Sequence, residues 1–543
     1  MKYKKVVLIT FCCFQLMCFA QPKEYTHQDT LRGSITPERA WWNLTYYHLS
    51  VKVDIENQTL SGSNIIQYQV LASQQILQIE LQEPLKIIKI IQQEHELSFK
   101  KDGYSYFIQL TQNQKIGDIN ELTIYYEGTP QVSKNPPWSG GLSWKTDENG
   151  NPWVVTTCQG IGASIWWPNK DHAYDEPDSL LISVIVPKNL VDVSNGRLRS
   201  VVENKDNTKT YHWFVTNPIA NYGVNMNIGN YVHFNEVYKG LKGSLDCDYY
   251  VLRNNLTKAK EQFKEVPKML AAFEYWFGPY PFYEDGYKLV EVPYAGMEHQ
   301  SSVTYGNGFK NGYLGRDVSH TGWGMKFDFI IVHESGHEWF ANNITHVDVA
   351  DMWIHEGFTS YSENLFVEYY YGKQACTDYV VGIRQNILND KPIIGTYNVN
   401  QEGSGDMYYK GANILHTLRQ LVENDTLWRE VLTGLNTQFY HQTVTSKQVE
   451  DYMSEKTEKD LSAFFNQYLR TNKIPKLEYS IKDKNLQFRY VNIVEDFDMP
   501  LRVFINEKEK WIFPNKDWKE IPLEIKIKSL VIDANFYIVA EEK

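Results

Sequence analysis

Five consecutive residues, His333-Glu334-Ser335-Gly336-His337, have the types and spacing that could do chemistry. On a helix, imidazoles four positions apart are turned by roughly 400°, so both leave one face and can meet a single ion. Glu334, beside the first imidazole, can take a proton from water without itself being a ligand. Farther on, Glu356 sits in Trp353-Ile354-His355-Glu356-Gly357-Phe358. A helix, a short connection and a returning helix span that separation and let a carboxylate complete a His₂Glu set with a fourth position open to water. Open sets of this kind belong to catalytic zinc, whereas structural zinc is closed by four protein ligands. The competing reading is a pair of helix-face histidines that merely pack or cap.

The elements that must position these groups follow from the apolar period. From about residue 40 to 250 the period is two: Leu49, Val51, Val53 and Ile55, then Ile66, Tyr68 and Val70 after the turn-like Glu56-Asn57-Gln58. Strand, turn, strand is the reading, and it predicts an all-β domain over residues 21–252. Beyond 253 the period changes. Met269, Leu270, Phe273, Trp276 and Phe277 recur at helical spacing behind Pro267, and Gly278-Pro279 stops the helix. A short strand over Leu289 to Pro293 and helices from about 324 to 470 complete an α+β domain, 253–472. The last helical pattern is Leu461, Phe464, Phe465, Tyr468 and Leu469. Alternation returns in Leu477, Tyr479, Ile481, then Leu486, Phe488, Tyr490, then Leu501, Val503, Ile505. Residues 473–543 therefore read as a small β-sandwich. The fold class expected is multidomain α+β.

With these residues in place, the chain resembles the gluzincin zinc aminopeptidases, the family that includes aminopeptidase N and leukotriene hydrolase. His333, His337 and Glu356 fall on the family's zinc ligands and Glu334 on its catalytic glutamate. Trp339-Phe340 and Asp351 match the flanking pattern. Asp351 either orients a ligand imidazole or caps a helix. Ala295-Gly296-Met297-Glu298-His299 is similar to the exopeptidase signature Gly-x-Met-Glu-Asn, with Ala295 for Gly and His299 for Asn. In the family this glutamate holds the substrate's α-ammonium, so the resemblance makes Gly296, Met297 and Glu298 substrate-binding. Tyr408 sits on a Tyr-x-Lys-Gly pattern whose phenol donates to the oxyanion; Tyr409 is its rival by one register. Gln159 looks like the residue by which the β-domain completes the amine pocket, or else a buried glutamine satisfied by backbone. The resemblance implies a saddle-like N-terminal β-domain, a thermolysin-like catalytic domain holding one Zn²⁺, and hydrolysis of the first peptide bond of peptides with a free N-terminus. An epoxide hydrolase/aminopeptidase and a non-catalytic peptide-binding protein on the same scaffold are the alternatives.

Composition agrees with that class. The 543 residues carry a net charge of −12, and Lys/Arg cluster only in the first five, which argues against nucleic acid as a partner. Lys2, Lys4 and Lys5, the apolar run Val6 to Ala20 and the small-x-small Cys18-Phe19-Ala20 form a secretory leader over residues 1–20. That run is shorter than the roughly 20 apolar residues of a membrane span, so the protein is expected in the periplasm or medium, without an anchor. Lipidation at Cys18 is disfavoured by Met17 before it. Cys158, Cys247 and Cys376 are too few and too scattered for a disulfide framework and read as small buried hydrophobes. Trp41-Trp42 and Trp166-Trp167 offer faces for sugars, but tryptophans of β-domains are usually core. His299, His346 and His355 have no ligand spacing for a second metal.

Overall fold

The computed structural model describes residues 24–543; the leader expected at 1–20 lies outside them. The first alternating run becomes the strand Trp42–Asp54, paired antiparallel with Thr59–Val70. Leu49, Val51, Ile66 and Tyr68 all point into the core. On its other edge Trp42–Asp54 pairs in parallel with Ser179–Pro187, Tyr46 opposite Ser179, at the centre of an eight-stranded sheet. A four-stranded sheet packs with it and contains Gly141–Thr146 and Pro152–Thr157, whose end delivers Gln159. Trp41, Trp42, Trp166 and Trp167 are buried in the core between these layers and closed to any sugar. Cys158, Cys247 and Cys376 are buried free thiols, as their spacing implied.

A five-stranded sheet starts the next region, in the order Tyr231–Gly240, Gly243–Leu252, Tyr287–Glu291, Val303–Tyr305, Gly296–Met297. Its hydrogen bonding crosses the point near 253 where the apolar period changes. Gly243–Leu252 pairs in parallel with Tyr287–Glu291, and helix α1 (Glu265–Phe277) lies in the crossover. Met269, Leu270, Phe273, Trp276 and Phe277 are the buried face of α1, and Gly278, at φ +91°, ends it. Helix α2 (Phe329–Gly336) is buried on every side, which explains its apolar Phe-Ile-Ile-Val start. Its N-terminus is fixed by Asp328, whose carboxylate accepts from the Ile330 and Ile331 amides. Helices α3 (Trp353–Tyr371) and α4 (Tyr409–Val422) complete the frame of the site.

Two sheets, of four and three strands, form the C-terminal region. Leu477, Leu486, Phe488, Leu501 and Val503 belong to the same buried cluster as α1 to α4. The Tyr468 hydroxyl donates to the Tyr537 carbonyl at 2.7 Å, and the Tyr537 amide donates to Thr417 Oγ1 on α4 at 3.0 Å. The β-rich, α+β, β order read from the sequence is the order observed. Among the described residues no helix is long and apolar enough to cross a membrane.

Candidate active site

Helix α2 carries His333 in its last turn and leaves His337 as its C-terminal cap. A wide turn, Glu338–Asn342, follows, and its backbone leaves helical geometry at Phe340 (φ −129°, ψ 84°). That departure aims the Phe340 carbonyl back at His337, whose Nδ1 donates to it at 3.1 Å; Thr359 Oγ1 lies 3.0 Å from the same nitrogen. His333 Nδ1 donates to Glu363 Oε1 at 2.7 Å, and the Tyr379 hydroxyl donates to the other Glu363 oxygen at 2.6 Å. An imidazole whose Nδ1 proton is held by an acceptor presents a bare Nε2. Both bare nitrogens face Glu356 Oε2, at 3.7 Å from His333 and 3.3 Å from His337.

That oxygen is buried and, among the described residues, has no hydrogen-bond partner. Donors held at ~2.0–2.1 Å around one tetrahedral zinc stand about 3.3 Å apart, so the three converging lone pairs fit that ion. The second Glu356 oxygen accepts from Gln159 Nε2 at 2.9 Å. Burial opposes charge on all three groups, yet the carboxylates of Glu356 and Glu363 raise the His333 pKa, and Glu356 raises that of His337. The two imidazoles in turn hold Glu356 below the usual carboxylate range against its burial. A divalent cation answers the same field.

The second motif forms the rim. Gly296 and Met297 are a short edge strand, Gly296 opposite Tyr305 and Met297 opposite Thr304. Glu298 follows, 2% exposed, and among the described residues its Oε1 has no hydrogen-bond partner. Carboxylate oxygens of Glu298 and Glu334 and a nitrogen of His337 lie within 4.8 Å of one another. Burial raises the Glu298 pKa, His337 pulls it back and Glu356 pushes it up again. Glu334 is lifted to about 7, by burial first, against the pull of His333 and with a push from Glu298. The Met297 side chain turns away into a small apolar cluster with Val155, Val292 and Tyr294, so it holds the edge strand without lining the cavity. His299 is buried beside Thr304 Oγ1 at 3.2 Å, and burial lowers its pKa to about 3.

Tyr408 precedes the first residue of α4. A Cβ added to Gly411 would lie 2.7 Å from the Gly357 Cα, so α3 and α4 touch backbone to backbone only because both positions are glycine. This approach brings the Tyr408 ring over His333, with centroids 6.0 Å apart and planes 24° apart. Burial and then Glu356 raise the phenol pKa well above its usual value, which keeps it a neutral donor. Gly296 is under a similar constraint, since a Cβ there would meet Ile330 Cγ2 at 2.6 Å and Glu334 Cγ at 2.9 Å. His333, Glu334, His337, Glu356, Glu298, Gln159, Gly296 and Tyr408 line one cavity of about 250 Å³, and Tyr409 lines it too.

Several positioning residues escaped the sequence. Glu363 lies seven residues after Glu356, two turns along the same face of α3, and that spacing could have revealed it. Glu338 Oε1 accepts from the Ser301 amide at 2.8 Å, and Asn342 Nδ2 donates to the Glu298 carbonyl at 2.9 Å. The turn after the histidine motif thus grips the loop that carries Glu298. Asp351 orients no ligand imidazole: it accepts from the Ser446 amide and hydroxyl and from the Tyr397 hydroxyl, fixing the start of the helix Ser446–Thr457. His346 and His355 are a buried pair, with Nδ1 and Nε2 3.0 Å apart.

Two family models match the chain. The Peptidase M1 N-terminal domain matches residues 43–222, and the Peptidase family M1 domain matches residues 261–468. The chain belongs to peptidase family M1. The M1 domain match contains Glu298, the histidine motif, Glu356 and Tyr408, and the N-terminal match contains Gln159. Among curated relatives, a leucyl aminopeptidase of Saccharolobus solfataricus is 21% identical over 65% of this chain and 46% of its own length. Endoplasmic reticulum aminopeptidase 1 of Mus musculus is 24% identical over 47% of this chain and 28% of its own. The chain thus spans less than half of these two relatives. Leukotriene A-4 hydrolase of Xenopus laevis is 21% identical over 77% of this chain and 68% of its own. An M1 zinc metallopeptidase of Deinococcus radiodurans has the same fold, with a TM-score of 0.69, 18% identity, and coverage of 82% of this chain and 98% of that one.

Proposed function

We propose that this M1 peptidase is an exported zinc aminopeptidase that removes the first residue of peptides with a free N-terminus. His333, His337 and Glu356 would hold the metal. When bound, zinc supplies a Lewis acid that polarises a carbonyl oxygen and acidifies water. Glu334 accepts the proton of the attacking water and returns it to the leaving amine, a task suited to a carboxyl whose pKa is raised toward neutrality. Tyr408 donates one hydrogen bond where negative charge develops on the carbonyl oxygen, and its high pKa keeps that proton in place. Gln159 steadies Glu356 through its 2.9 Å hydrogen bond.

One observation carries the exopeptidase reading: the buried, unpartnered Oε1 of Glu298 in the cavity that also holds the three metal donors. A buried carboxylate oxygen left without a hydrogen-bond partner calls for a donor or a cation. The α-ammonium of a peptide supplies one at the distance of a single residue from the bond to be cut, which makes the cut terminal. Release of amino acid from aminoacyl-anilides tests this. Activity lost to a chelator and restored by zinc is expected; inertness toward a broad anilide panel would overturn it. Export rests on the Lys2-Lys4-Lys5 and Val6–Ala20 pattern. N-terminal sequencing of the mature protein is expected to begin at Gln21, and retention of Met1 would exclude cleavage.

A further inference from the structure

The loop that follows Glu298 bends through an unfavourable conformation. The His299 amide donates to the Met297 carbonyl and the Ser302 amide to the His299 carbonyl, each at 3.0 Å, and within that turn Ser301 sits at φ +52°. A residue other than glycine reaches this left-handed region only at a cost, so such a turn persists where its surroundings hold it. The segment after the histidine motif supplies one hold, through Glu338 and Asn342. The other comes from the β-rich region.

Asn195 is the centre of that second hold. With Gly196 it forms the corner where the chain leaves Val191–Ser194, in the four-stranded sheet, and enters Arg197–Glu203, in the eight-stranded one. Gly196 takes φ +71°, and a Cβ there would meet the Phe214 carbonyl oxygen at 2.1 Å, so the corner requires glycine. The Asn195 side chain is fully buried. Its Nδ2 donates to the Gln300 carbonyl at 2.7 Å and to the Gly223 carbonyl at 2.8 Å, and its Oδ1 accepts from the Asn225 amide at 2.8 Å. Two donors and an acceptor on one short arm let asparagine join three backbone segments at once.

Neighbouring groups extend the grip. The Gly196 amide donates to Ser301 Oγ at 2.9 Å, Asn225 Nδ2 to the Ser302 carbonyl at 3.1 Å, and Gln300 Nε2 to the Pro218 carbonyl at 2.8 Å. Gln300, Ser301 and Ser302 are thus each tied to the β-rich region, within four positions of Glu298. The metal donors do not depend on these bonds, since Glu363, the Phe340 carbonyl, Thr359 and Gln159 brace them.

We propose that Asn195 is a positioning residue for substrate binding: by clamping the turn Gln300-Ser301-Ser302 it fixes where the Glu298 carboxylate meets the α-ammonium. This inference rests on the aminopeptidase reading and adds that the β-rich region, which already supplies Gln159, sets the amine pocket from a second point. Calorimetry on the zinc-loaded protein reads the clamp without turnover, with leucine hydroxamate and its des-amino analogue, isocaproyl hydroxamate, as probes. The wild type should bind the amine-bearing probe tighter by about 30-fold or more. In Asn195→Ala that ratio should fall about tenfold while affinity for the des-amino probe and zinc content hold, and KM for leucyl-anilide should rise about tenfold with kcat within about threefold. Asn225→Ala, which removes the bond to Ser302 and keeps Asn195, should lower the ratio about threefold and tests the clamp if Asn195→Ala does not fold. Asn227→Ala is the matched control: this asparagine is equally buried in the same four-stranded sheet but donates to the Val193 carbonyl, so its loss should cost stability and leave the ratio alone. The proposal falls if Asn195→Ala and Asn225→Ala lose stability at an unchanged ratio, if they weaken both probes alike, or if Asn227→Ala shifts the ratio as much. A wild type that binds both probes equally would instead sink Glu298 as the partner of the amine, and with it the reading on which the clamp rests.

Discussion

The two halves of the site are built on opposite plans. In the metal half every donor is backed: His333 by Glu363, His337 by the Phe340 carbonyl and Thr359, Glu356 by Gln159. In the half proposed to hold the amine, Asn342 grips Glu298 through its backbone carbonyl, and among the described residues one of its carboxylate oxygens has no hydrogen-bond partner. A resident ion is served by donors whose orientation is settled beforehand. A transient cation is served by a charge left waiting, since a group already satisfied by protein would gain nothing from the substrate.

This contrast can be broken by substitution. The largest effect is expected at the seam, where Glu334→Gln should lower kcat by up to about 10⁴-fold while zinc content, measured by elemental analysis, stays at one per chain. Retained turnover would remove Glu334 as the base. Tyr408→Phe should cost about 10²–10³ in kcat with little change in KM; an equal loss in Tyr409→Phe alone would shift the role by one residue. Glu298→Gln should lower kcat/KM by about 10²-fold, chiefly through KM, and leave zinc affinity alone. Glu363→Gln should do the converse, weakening zinc binding by about 10–100-fold while KM at saturating zinc is kept. If Glu298→Gln loses zinc, or Glu363→Gln raises KM under saturation, the two halves are not separate. The smallest effect sharpens the frame behind both: Gly411→Ala, forcing α3 from α4, should cost about 1–3 kcal/mol in chemical denaturation and lower kcat as Tyr408 shifts.

Much of this was legible in the chain. Alternation over Leu49, Val51 and Val53 and helical spacing over Met269 to Phe277 gave the β-rich and α+β regions because burial imposes those periods directly. The histidine motif and Glu356 were legible because a metal demands fixed residue types. What stayed hidden depends on contacts between distant segments. The parallel pairing of Trp42–Asp54 with Ser179–Pro187 and the sheet running across residue 253 are choices of neighbour that no local pattern encodes. Asp351 looked equally suited to an imidazole and to a helix end, and only the approach of Ser446 decides between them. Met297 and Glu298 are adjacent in the motif, yet Met297 packs into an apolar cluster while Glu298, the first residue past a strand only two residues long, lines the cavity.

The C-terminal sheets have a bearing on catalysis that their distance from the metal conceals. They close over the outer side of α4, the helix that presents Tyr408, through Tyr537, Tyr468 and a common apolar interior. Clipping the tail between 476 and 537 would strip the roof from that helix. The enzyme should fail by a loosened phenol well before its ion is lost.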